Sequence, residues 1–100
     1  MRKISDYVEH IKDELEGSYC YAETYIDCKA SGNNERANAY RKFSQDELDH
    51  ATGIHSFAVQ DIERIRKVYP NPPTEMQREW ERVHLEMIEK TAVIKNMLSM

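Results

Sequence analysis

The pattern Glu-x-x-His occurs twice in this chain, as Glu47-Leu-Asp-His50 and Glu81-Arg-Val-His84, and a further glutamate, Glu14, lies upstream. Residues three apart share one face of a helix, so each pair can aim a carboxylate oxygen and an imidazole nitrogen at one point. Facing helices of a bundle hold metal ions with such pairs. The candidate ligands are therefore Glu14, Glu47, His50, Glu81 and His84. A mixed oxygen and nitrogen set of this kind suits divalent iron, with manganese or zinc as the other candidates. A competing reading needs no ion: the same acids and histidines hydrogen-bond one another as a buried polar network in a non-catalytic interaction module.

Glu14 is expected to point inward because Tyr7, Ile11, Ser18, Tyr21, Tyr25 and Cys28 share its stripe. An unpaired carboxylate there would cost several kcal/mol, on the order of 2 or more, so it needs a cation or a donor. Glu47 and His50 share a stripe with Phe43, Ile54 and Phe57. His55 sits among Leu48, Ala51, Ala58 and Ile62 and reads as a core histidine, whereas His10 reads as a surface residue. Tyr21, Tyr25 and Tyr40 read as core aromatics.

Three helices must position these groups. The first spans about residues 4–30, with Ile4, Val8, Leu15, Ala22 and Ile26 widening its apolar face, and Ser31-Gly32-Asn33-Asn34 supplies a stop. The second spans about 35–68 and is expected to bury Ala37, Tyr40, Phe43, Leu48, Ala51, Ile54, Phe57, Ala58, Ile62 and Ile65. Gly53 within it marks a bend or a close helix contact. The prolines in Tyr69-Pro70-Asn71-Pro72-Pro73-Thr74 exclude helix there. With Thr74 as N-cap, the third helix spans about 75–98 and carries Met76, Trp80, Val83, Met87, Ile88, Ala92, Ile94 and Leu98 inward. The fold class is all-α, a single domain built as an antiparallel three-helix bundle.

Rise per residue tests whether the ligands meet. Glu14 and His50 each lie about 27 Å from Gly32 along their helices, and Glu47 about 22 Å, so these three are level. His50 lies about 28 Å before the second turn, whereas His84 lies only about 15 Å beyond Thr74. His84 reaches the level of His50 only if the Pro-rich segment runs back alongside the second helix; otherwise it sits nearer His55 or Asp61, or a second chain completes its site.

The run from Glu14 through Gly32 to Glu47-Leu-Asp-His50-Ala51 resembles the first helix pair of the rubrerythrin-type ferritin-like family. His10-Ile-Lys-Asp-Glu-Leu, Tyr21-Ala22, Asp46-Glu47-Leu48-Asp49-His50-Ala51 and Ile54-His55 are also similar to small ferritin-like proteins of bacteriophages and Gram-positive bacteria. The resemblance implies carboxylate-bridged metal, used to activate oxygen, reduce peroxide or oxidise iron. By it, Glu14, Glu47 and His50 are ligands, and Glu81 with His84 stands for the second Glu-x-x-His pair. A complete site of that family uses four helices and four carboxylates, and three alternatives answer the shortfall: a homodimer supplies the fourth helix, a single ion is held by Glu14, Glu47, His50 and His84, or the site is vestigial and its polar residues hydrogen-bond one another.

Composition narrows the alternatives. A net charge of −4 without a Lys/Arg cluster disfavours nucleic acid and anionic membrane. Without an apolar run of membrane length or a signal-peptide core, the expected location is the cytoplasm. Cys20 and Cys28 lie eight apart on one helix, too far for a disulfide, and should be free thiols. The chain offers neither a Gly-flanked Ser or Cys nucleophile nor a Gly-rich phosphate loop.

Overall fold

The computed structural model describes residues 3–69 and 74–100. These form three helices, α1 (Ile4–Ala30), α2 (Asn34–Val68) and α3 (Thr74–Leu98), with no strand among the described residues. Thr74 is thus the first helical residue and not a flanking cap. The expectation of an extended, non-helical run at 70–73 lies outside the described residues.

The turn between α1 and α2 follows from its residues. Gly32 adopts φ +80°, the left-handed region that costs other residues energy. This lets the Asn33 N–H reach the Cys28 carbonyl at 2.9 Å and the Gly32 N–H reach Lys29 at 3.1 Å, the paired bonds of a Schellman stop. Asn33 then caps α2, its Oδ1 accepting the Arg36 N–H at 3.1 Å.

α1 is the element with the most extensive packing, along α2 and, over a smaller area, against α3. Ile11, Leu15, Ala22, Ala51, Ala58, Val83 and Ile94 form the best-buried part of the core. The α1–α2 contact relies on small residues: Ser18 and Ser44 are wholly buried where the helices cross. The Ser18 hydroxyl donates to the Ser44 carbonyl, and the Ser44 hydroxyl to the Ser18 carbonyl, each at 2.8 Å. A second buried polar contact ties the ends of this pair, where Tyr7 Oη donates to Asp61 Oδ2 at 2.6 Å.

α3 runs antiparallel to α2. Arg41 Nε donates to the Leu98 carbonyl at 3.2 Å, and fourteen residues further along each helix His55 meets His84 at 3.0 Å. Lys29 also reaches the Met100 carbonyl, joining the end of α1 to that of α3.

Several expectations of burial need correction. Phe43 and Phe57 are 46% and 58% exposed, and Ile88 and Ala92 are also exposed. α2 carries two apolar stripes, and the three helices cover only one. Gly53 makes no close contact, since nothing lies within 4 Å of where its side chain would be, and α2 continues through it. Cys20 and Cys28 are free, and no helix among the described residues is long and apolar enough to cross a membrane.

Candidate metal centre

Glu14, Glu47 and His50 converge, each offering one ligand atom within 4.8 Å of the others. His50 Nδ1 stands 3.4 Å from Glu14 Oε2 and 3.9 Å from Glu47 Oε1. The level match arises because α1 enters and α2 leaves the Gly32 turn on the same side, so the two helices lie alongside each other with similar rise. Glu47 and His50 come together because they lie three apart on α2. The ligand side chains differ in exposure: Glu14 is 18%, Glu47 26% and His50 57% exposed, so the carboxylates form the floor and the imidazole the rim.

The two carboxyl groups lie close enough to share a proton in a hydrogen bond when one of them is protonated. That bond, aided by His50 and His10, holds Glu14 below the usual carboxylate range against the opposing effect of burial. The same bond, burial and the nearby Glu14 charge raise Glu47. The two shifts are opposite in sign, so Glu14 ionises first and Glu47 is the carboxyl that holds a proton to higher pH.

The residues present fit a cation. Adjacent ligand atoms around a small divalent ion stand about 3.0 to 3.4 Å apart when bonds are about 2.1 Å, so the group needs movements well under 2 Å. An ion would replace the shared proton as the positive partner of two acids. Gly17 keeps room for this: a Cβ there would lie 3.2 Å from Glu47 Oε2, tighter than an ordinary contact.

Two participants are not evident from the sequence reading. His10 is half-buried, with Nε2 3.3 Å from Glu14 Oε1, so Glu14 lies between two imidazoles. Its signal was the four-residue spacing from Glu14, which places both on one face of α1. The signal for Gly17 was a glycine inside a long helix, a cost of about 1 kcal/mol that calls for a reason.

Glu81 and His84 do not join the group. Both are exposed, and among the described residues the convergent set ends at Glu14, Glu47 and His50. His84 instead faces His55, with its Nδ1 3.0 Å from His55 Nε2. The register explains this, because His84 matches His55 and so falls five residues, about 7.5 Å, short of the His50 level. Direction separates them too: at 3.6 residues per turn, His50 and His55 point about 140° apart around α2. His55, expected in the core, is half-buried, and its ring stacks on Trp80 with centroids 4.9 Å apart.

The face of α2 that bears the site is a seam in its own right. Tyr40, Phe43, Glu47, His50, Ile54 and Phe57 alternate at spacings of three and four, the pattern of helices that pair lengthwise. Above the ligands, Phe43 packs with Tyr21 and Tyr40 at centroid distances of 5.6 and 5.7 Å. Compared with family models, curated proteins and solved structures, the chain finds no match.

Proposed function

We propose that this chain is a metal-binding protein of the ferritin-like type, holding divalent iron through Glu14, Glu47 and His50. The observation that carries the reading is the convergence of two acids and an imidazole from two helices within 4.8 Å. Bound iron would supply redox chemistry toward oxygen or peroxide, or would itself be the species oxidised. The protein's part is to hold the ion: Glu14 and Glu47 neutralise its charge, His50 caps it from the rim, and His10 fixes the orientation of Glu14.

A second copy completes the arrangement. Phe43 and Phe57 stand seven residues on either side of His50, and each leaves roughly half of its surface to solvent. A two-fold axis beside His50 lays Phe43 of one protomer against Phe57 of the partner subunit, a self-complementary contact. It also doubles the ligands to four carboxylates and two imidazoles, enough for two ions. Phe57→Glu should convert a sedimenting dimer to monomer and weaken metal retention with it.

Metal analysis of protein loaded with Fe(II) without oxygen tests the reading. Bound iron at one equivalent per chain, lost in Glu47→Ala, supports it; no iron above background contradicts it. The hydrogen bond between Glu14 and Glu47 favours a second reading, since a proton alone satisfies the pair. In that case the chain is a non-catalytic oligomerisation module. Its melting temperature would then be the same with iron as with chelator, because only a ligand bound to the folded state raises stability.

A further inference from the structure

We propose that His55 and His84 form a second cation site, separate from Glu14, Glu47 and His50, which takes a nitrogen-preferring divalent ion such as zinc, nickel or copper(II) and ties α3 to α2. The inference does not depend on the iron reading, because it uses different residues on a different face of α2.

Its basis is the direct approach of two imidazoles from different helices, His55 Nε2 to His84 Nδ1 at 3.0 Å. Without an ion, one ring donates an N–H and the other accepts with its lone pair. Two nitrogens on one tetrahedral zinc ion stand about 3.3 Å apart, so the rings need separate by only a few tenths of an ångström. The proton balance is simple. The donor ring moves its hydrogen to its other nitrogen, which bares a second lone pair without net proton release, and water fills the remaining positions.

Two features prepare the pair. Trp80 stacks on the His55 ring, 4.9 Å between centroids and 25° between planes, which restrains the ring before any ion arrives. Burial and the neighbouring His84 both disfavour protonation of His55, so it presents the neutral imidazole that metals require. The rings lie in an open groove with Thr52, Met87, Ile88 and Thr91, which gives an ion access from water. Two imidazoles without a carboxylate favour zinc, nickel or copper over magnesium or calcium, whereas the oxygen-rich set at Glu14 suits iron or manganese.

The test uses the full chain carrying Glu47→Gln and His50→Ala, so that the first set of ligands cannot hold an ion. Calorimetric titration with zinc should give one equivalent bound per chain and a raised melting temperature. Adding His84→Ala, or separately His55→Gln, should weaken zinc at least about tenfold, the scale set by lesser changes around metal sites. Helicity by circular dichroism confirms that each variant is folded, and the imidazole resonances of His55 and His84 should shift together as zinc is added to the background protein. Zinc affinity unchanged by either histidine substitution, or zinc shifts confined to His10, would overturn the proposal.

Discussion

Ser18 and Ser44 exchange hydroxyl-to-carbonyl hydrogen bonds at 2.8 Å with their own oxygens 3.0 Å apart, one helical turn from Glu14 and Glu47 respectively. This contact sets how closely α1 and α2 approach, and therefore whether ligands on the two helices can share an ion. Ser44→Leu should force the helices apart, with a loss of about 1–3 kcal/mol in chemical denaturation, and should weaken metal binding although it touches no ligand. Ser18→Ala keeps the spacing and removes one donor, so it should cost about 0.5–1.5 kcal/mol and leave metal affinity nearly unchanged.

Gly17→Ala separates stability from binding. Alanine is a better helix former than glycine by about 1 kcal/mol. In metal-free protein the Glu47 carboxylate, the end of a flexible chain, can move away from a Cβ at 3.2 Å. The variant should therefore melt at the same or a higher temperature without metal. With an ion, the carboxylate is pinned, so affinity by titration should fall severalfold.

Metal binding should strengthen as pH rises, and the sign comes from Glu47. Its carboxyl is raised by the hydrogen bond to Glu14 and by burial, so its proton competes with an ion above the usual carboxylate range. Affinity measured across a pH series should climb through that range and keep climbing until the His50 ring has also given up any competing proton. Glu47→Gln removes that competing proton along with the ligand, and its residual affinity should be weak and lack the rise through the carboxylate range.

The buried link between Tyr7 and Asp61 predicts a stability effect far from the ligands. Asp61 has the Tyr7 hydroxyl at 2.6 Å and Arg64 Nη1 at 3.5 Å, the latter on a largely exposed side chain. Tyr7→Phe leaves the carboxylate short of its buried donor and should cost about 1–3 kcal/mol in denaturation. In a double-mutant cycle with Asp61→Asn, the two losses should sum to more than the double variant shows.

Acid should loosen the α2–α3 contact. His55 is held below its ordinary value by burial and by His84, so the folded state binds fewer protons there than the unfolded chain. That contribution is full above the unfolded histidine value of about 6.5 and is lost progressively as pH falls from there through the lowered folded-state value. The melting temperature should begin to drop as pH falls below about 6.5. His55→Phe, which retains stacking on Trp80, should make that drop smaller.

How much of this was legible in the sequence depended on which rods had a common origin. Glu14, Glu47 and His50 could be levelled because the Gly32 turn is short and both helices start from it. His84 could not, because its height depends on the path of residues 70–73, and the fold matches it to His55 instead. His55 was read as core from its apolar neighbours, yet its position toward α3 leaves room for another polar ring. Phe43 and Phe57 were read as buried because periodicity counts apolar residues without knowing how many helices are present to cover them. Ser44 carries no chemical signal of its own, and Gly17 signals only that a helix-weakening residue needs a reason; the meaning of both lies in what approaches them across the helix pair.

The most direct test is diffraction from a crystal of the protein soaked in Mn(II) or, without oxygen, Fe(II), with data collected at the metal's absorption edge. The account predicts an anomalous peak about 2.0–2.3 Å from oxygens of Glu14 and Glu47 and from Nδ1 of His50. A map without a peak among these three side chains, or with one held only by other residues, would contradict it.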